Sequence, residues 1–378
     1  MKFDLHILPN EMEAYPSVFA VNDSYQIFIP FNCEVIVSVI VGNNEYYDDS
    51  NGIMRSNTNI HKVEVPISEL DTSGRYTLVY KKMIERKPYF PTSEEAKKLD
   101  FDFYPVKNNT NINIYHIADA HNIEEAVISA GSYFGNALDL LILNGDIPNH
   151  SGKIENFNTI FKIASSITKG SIPTVFARGN HDTRGIFAEN FGDYTPTDNG
   201  RTYYTFKLGS LWGLILDCGE DKPDDHPEYG GTVCFHRFRQ KETDFIRRVI
   251  VNSNTEYNYP DVKHKLVICH IPFTHIQEPP FDIEQDIYRE WTRLLREEIK
   301  PDLLLYGHIH ITEIWRKDSD KDAYGQPCHA IVGSKPKKAK EGNDHHFTGC
   351  GITLREKNIE VVFNDDLGNI VSKEYIER

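Results

Sequence analysis

Apolar residues along this chain follow two rhythms. Up to about residue 110 the runs are short and rich in aromatic and β-branched side chains, at 25–30, 34–41 and 75–82. Gly42-Asn43-Asn44 follows the second run and Asp71-Thr72-Ser73-Gly74 precedes the third, both turn formers. Short strands so spaced predict a small antiparallel sandwich. Beyond Asn113 apolar strands alternate with amphipathic segments. Strands are predicted at 114–118, 138–143, 174–177, 213–216, 265–269 and 303–306, and helices over 123–134, 154–167, 240–251 and 283–299. In the last helix Ile287, Trp291, Leu294, Leu295 and Ile299 recur at helical spacing. That alternation predicts an α/β (α+β) domain whose sheet is largely buried. From His329 onward strands return, at 330–332, 351–354 and 359–363.

Five of the middle strands end on polar side chains. Asp119-Ala120-His121 follows the strand at 114–118, and Asn144-Gly145-Asp146 follows 138–143. Gly179-Asn180-His181-Asp182 comes after 174–177, His270 after 265–269, and Gly307-His308-Ile309-His310 after 303–306. Sites in α/β folds assemble outside the carboxyl ends of strands, so these side chains are expected to share one crevice. A pair of divalent cations about 3.5–4 Å apart wants carboxylate and imidazole ligands, one carboxylate bridging both. D-x-H and H-x-H send alternate side chains to the same side of an extended backbone. Glycine before Asp146, Asn180 and His308 allows tight turns and close approach.

Charge narrows the function. Lys+Arg number 41 against 56 Asp+Glu, a net of -15 over 378 residues, which disfavours long nucleic acids as partners. A small phosphorylated substrate stays open, because bound metal reverses the field locally. No apolar run reaches the roughly 18–20 residues of a membrane span, so no membrane partner is expected. The opening Met1-Lys2-Phe3-Asp4-Leu5-His6 lacks the order of a signal peptide. Six scattered cysteines read as reduced thiols of a cytoplasmic protein. Nothing in the sequence sets the oligomeric state.

Taken in order, Asp119-x-His121, Gly145-Asp146, Gly179-Asn180-His181-Asp182, His270 and Gly307-His308-x-His310 resemble the signature of the calcineurin-like metallophosphoesterases, over roughly residues 113–335. The resemblance implies a two-sheet β-sandwich flanked by helices over 109–378. Residues 1–108 would form an accessory β-sandwich of immunoglobulin or fibronectin type. It implies two metal ions (manganese, iron or zinc), with Asp119, His121 and His310 on the first. Asn180, His270 and His308 would hold the second, and Asp146 would bridge. His181 would stand beside the leaving group, oriented by Asp182.

The implied reaction is phosphate-ester hydrolysis by in-line attack of a hydroxide bridging the metals. Its substrate would be a phosphomonoester, either a small molecule or a phosphoprotein. A phosphodiesterase on the same site is the alternative. A non-catalytic scaffold is disfavoured, because no ligand of the signature is missing. One departure stands out: Asn149 occupies a position where the family often has a second aspartate. The purple acid phosphatase branch has tyrosine there and lacks the histidine of D-x-H. Asn149 and His121 therefore argue against an iron–tyrosinate centre, although the β-rich N-terminal region resembles that branch in layout.

Further substrate-binding candidates are Asn180, Asn149, His150, His275 and Arg184, the last able to grip a phosphate oxygen with two donors. Salt bridging on a loop is the competing expectation for Arg184. The polar stretch 217–229 reads as an acidic surface loop, and the lone histidines His116, His264 and His329 as packed or surface residues. The basic run 335–340 reads as a solvated loop.

Overall fold

The computed structural model describes residues 7–107, 111–336 and 346–378. Side chains alternating in and out of each strand build two sheets face to face. Along Leu140–Asn144, Leu140 and Ile142 enter one buried cluster while Leu141 and Leu143 enter another. Along Leu303–Tyr306, Leu303 and Leu305 join that first cluster, and Leu304 and Tyr306 point into a third. The shared cluster is the interior of a sandwich, and the other two lie on its outer faces. Helices Glu124–Gly131 and Asn158–Thr168 cover one face with Val127, Ala130, Ile160 and Phe161. Phe235–Val251 and Gln285–Leu294 cover the other with Ile246, Val249 and Trp291.

The larger sheet has ten strands. At its centre Ile112–Ile117, Leu140–Asn144, Thr174–Ala177 and Ser17–Val21 run parallel in that order. Antiparallel strands Phe347–Leu354, Asn358–Asp365 and Ile370–Glu377 extend one side. The six-stranded sheet carries the parallel run Leu211–Leu216, His264–Cys269, Leu303–Tyr306 and Ala330–Val332. Every strand that ends in a candidate ligand thus points its carboxyl end the same way within its sheet. The two-sheet architecture flanked by helices is the one expected.

The N-terminal region is largely antiparallel β, as expected, and apart from a two-stranded ribbon of Asp49–Ser50 and Ile53–Met54 its strands divide between two sheets. Val35–Val41, Asn44–Tyr47, Arg75–Glu85 and Lys97–Asp102 belong to a separate five-stranded sheet. Ser17–Val21, Ser24–Pro30 and Ile60–Pro66 instead continue the ten-stranded sheet, with Phe19 opposite Thr174. The expected division at 108/109 falls outside the described residues, as does the basic run from 337 on. Lys335–Pro336 form a short strand. Among the described residues no helix is long and apolar enough to cross a membrane.

Predicted elements reappear with shifted ends. The helix expected at 240 begins at Phe235, and the one expected to reach 134 stops at Gly131. The one at 154 opens as a 3-10 turn, Ile154–Phe157, before Asn158–Thr168. Strands Ser17–Val21, Ile60–Pro66, Tyr204–Leu208 and Ile370–Glu377 were not among those predicted.

Candidate metal centre

The loops after five strands converge. Asp119, His121 and His310 bring one ligand atom each within 4.8 Å of one another, and so do Asp146, His270 and His308. A third such group, His121, Asp146 and His181, overlaps both, through His121 and Asp146. His121 Nε2 and His310 Nε2 are 3.0 Å apart, and His310 Nε2 lies 3.3 Å from Asp119 Oδ1. His270 Nε2 lies 3.1 Å from Asp146 Oδ2 and 3.7 Å from Asp119 Oδ1. Five of these residues take left-handed backbone: Asp119 (φ 54°), His121 (46°), Asp146 (54°), His308 (72°) and His310 (51°). Non-glycine residues take that conformation uncommonly, Asp and His more readily than most, and its clustering is a feature of functional sites.

Backbone contacts aim these groups. Asp119 takes the His308 N–H on its oxygens at 3.1 and 3.0 Å, tying two loops from opposite sheets. Asp146 Oδ1 accepts the His181 N–H at 2.9 Å. His270 Nδ1 is 2.6 Å from the Asn144 carbonyl, which places its proton there and turns Nε2 toward the site. Glycine is required at the closest approach, because a Cβ on Gly179 would lie 2.2 Å from Asp146 Oδ1.

Electrostatics suits a cation. Burial pushes His121 and His308 each down to about 4, so both rings are neutral at pH 7 with a lone pair to offer. Burial also opposes charge on His270, but Asp146 and then Asp119 outweigh it and raise the ring to about 10. In return the histidines, His270 foremost, hold Asp146 below the usual carboxylate range despite its burial. A proton on His270 thus balances the two carboxylates as a metal would. The Asn180 amide has two useful placements. With its oxygen inward it faces His308 Nδ1 at 3.0 Å, acceptor against acceptor, an arrangement a cation resolves. With its nitrogen inward it donates to His308 Nδ1 and to Asp146 Oδ2 (3.3 Å) instead. His121 Nδ1 is buried without a hydrogen-bond partner, and His270 Nε2 has only carboxylates before it, Asp146 at 3.1 Å and Asp119 at 3.7 Å. Oxygen and imidazole donors, orphaned atoms and a shared carboxylate fit a pair of divalent cations.

The structure brings the seven expected ligands together with His181 beside them, while Asp182, Arg184, His150 and His275 make other contacts. Asp182 does not touch the His181 ring. Its Oδ2 accepts the N–H groups of Gly179 (2.7 Å) and Asp146 (3.2 Å), so it staples backbone to backbone. Burial, and then the charge of Asp146, push its carboxyl up to about 8. His181 is oriented instead by Asn149, whose carbonyl lies 2.8 Å from Nδ1. Arg184 is salt-bridged, with Nε and Nη2 gripping Glu220 at 2.7 and 2.8 Å and Nη1 3.1 Å from Glu228, and its Nη2 also lies 3.0 Å from the Asn180 amide. His150 folds onto its own loop, 3.0 Å from the Gly152 N–H. His275 packs at a tilt against Trp315 and lies 3.0 Å from the Lys321 carbonyl through Nδ1. Among the described residues neither ring hydrogen-bonds to the metal-type cluster.

Sequence reading missed Asn144 as an organiser. Its amide donates to His116 Nε2 (3.0 Å) and to the carbonyls of Cys269 and Leu305 (both 3.3 Å), bridging the two sheets under the site. The signal was an Asn closing a wholly apolar strand. His116 is packed, as expected for a lone histidine, and burial pushes it down to about 3.

Comparison with known proteins agrees. The calcineurin-like phosphoesterase family matches residues 112–312. No curated protein matches the sequence. Among solved structures, a purple acid phosphatase from yellow lupin (Lupinus luteus) seeds aligns at a TM-score of 0.63 with 14% identity, covering 96% of this chain and 74% of that one. PhoD aligns at 0.54 with 12% identity, covering 97% and 93%. At such identities the likeness is one of fold, and it extends through the N-terminal region.

Proposed function

Since the chain belongs to the calcineurin-like phosphoesterase family, a class of phosphoric-ester hydrolases, we propose that it is a metal-dependent phosphomonoesterase. The carrying observation is the overlap of the metal-type groups through Asp146 and His121. Asp119, His121 and His310 would hold one cation and Asn180, His270 and His308 the other, with Asp146 between them. Manganese, iron or zinc each suits these donors. Bound cations supply Lewis acidity and water of lowered pKa.

The remaining work falls to the chain itself. His181 gives its Nδ1 proton to the Asn149 carbonyl at 2.8 Å and carries Nε2 to within 3.9 Å of Asp146 Oδ2. In its protonated form the ring delivers the Nε2 proton to the departing alkoxide. The loop cations Arg184 and Lys222 are neutralised by Glu220, Asp221 and Glu228, so they offer no basic track for a polyanion. That favours a compact monoester, on a small molecule or a phosphoprotein, over a polymeric diester. All six cysteines are free thiols, which supports a cytoplasmic setting.

The test is hydrolysis of p-nitrophenyl phosphate beside bis-p-nitrophenyl phosphate by metal-stripped protein reloaded with manganese. Metal-dependent preference for the first is expected. Preference for the second would make the enzyme a diesterase. Bound manganese without turnover of either would leave a non-catalytic scaffold.

A further inference from the structure

The stretch 217–229 has the composition of a surface loop, yet Asp217, Glu220, Asp221 and Tyr229 are buried. Burying carboxylates is costly unless each is paired, so their partners say what they are for. Glu220 is committed to Arg184. Asp221 Oδ1 accepts from Lys222 Nζ (2.8 Å) and Tyr229 Oη (3.0 Å), and the same hydroxyl reaches Glu220 Oε2 at 3.0 Å. Asp221 Oδ2 has another neighbour. It lies 3.6 Å from His308 Nε2.

A neutral imidazole offers a lone pair on one nitrogen only if its proton sits on the other. His308 Nδ1 faces Asn180 at 3.0 Å, on the side of the metal-type cluster, so with a cation on Nδ1 the proton would sit on Nε2, toward Asp221. Other ring nitrogens around the site have backbone carbonyls for this purpose: Asn144 for His270 and Asn149 for His181. The 3.6 Å separation is an ion-pair contact rather than a hydrogen bond.

We propose that Asp221 is a positioning residue of the metal centre, holding the His308 ring and tautomer so that Nδ1 faces the cation, while Lys222 pairs with its other oxygen. The proposal rests on the metal-centre reading above. Outer partners of ligating histidines typically govern affinity by roughly 10–100-fold.

The experiment is calorimetric titration of metal-stripped protein with manganese, with thermal unfolding as a check that each variant is folded. Wild type should take up two ions. Asp221→Ala should weaken one of them by roughly 10–100-fold and leave the other unchanged. Asp221→Asn, which keeps an acceptor oxygen, should recover part of the loss. Tyr229→Phe loosens the loop without removing the carboxylate and should bind both ions nearly as wild type does. Two ions bound at wild-type affinity by Asp221→Ala would overturn the proposal. So would an equal loss in Tyr229→Phe, because loop packing would then be the cause. Wild type that binds no manganese would sink the metal-centre reading itself.

Discussion

At the scale of single residues, the site separates groups that hold charge from groups that move a proton. His121, His270, His308 and His310 face carboxylates or one another, while His181, outside the expected ligand set, is held by the Asn149 carbonyl and stands partly open. On the proposed mechanism its removal would take away a proton donor and leave the seven candidate ligands in place. His181→Ala should therefore retain metal while turnover of an alkyl phosphate falls roughly 10²–10⁴-fold. A nitrophenyl ester, whose leaving group needs little protonation, should suffer far less. Full activity of this variant on an alkyl phosphate would remove His181 from that role. The identities of these residues were legible in the sequence because each closes an apolar strand. Their partners were not. Asp182 stands beside His181 in the chain, but the turn sends the two side chains apart, and the orienting group is a main-chain carbonyl that has no sequence signature.

Between residue and fold lie the loops, and these are held by buried polar staples. Asp182 joins the loop after Leu140–Asn144 to the loop after Thr174–Ala177 by accepting the N–H groups of Asp146 and Gly179. Asp119 likewise accepts the His308 N–H between the loops bearing His121 and His308, whereas Asn144 joins the sheets as a donor to the Cys269 and Leu305 carbonyls. Removing such an acceptor strands buried donors. Asp182→Ala orphans two, at about 1–3 kcal/mol each, and should lower the unfolding temperature and weaken metal binding together. Asp182→Asn, which retains an acceptor oxygen, should lose much less. Equal melting temperatures for wild type and Asp182→Ala would show that water or another group takes over the bonds. This level was the least legible in the sequence. The loop 217–229 reads as solvated because composition carries no record of which carboxylates find a guanidinium. Strands such as Ile370–Glu377 escaped because exposed edge positions blur the alternation that marks a half-buried strand.

On the scale of the whole molecule, the N-terminal segment reads as an accessory module, and its strand pairing gives it a further task. Ser17–Val21 lies directly against Thr174–Ala177, the strand that leads into Gly179 and Asn180. Phe19 packs edge-on against Phe176 at 6.4 Å and against Phe28 at 5.6 Å, and Phe28 stacks on Phe161 of the covering helix at 5.6 Å. Val18, Ala20, Ile27 and Val63 lie in the same buried cluster as Ile142, Val175 and Leu266 of the sandwich. Deleting residues 1–108 would strip the parallel edge of Thr174–Ala177 and open that cluster to water. Parallel strands are stable when covered on both faces, and a bare apolar edge templates aggregation. A chain starting at residue 109 should accordingly be insoluble or unfold without a cooperative transition, and should bind little manganese. Recovery of a soluble fragment that melts cooperatively and takes up two ions would establish instead that the segment is an appendage. In that case the contacts of Phe19 would contribute little beyond covering an edge that the sandwich can leave bare.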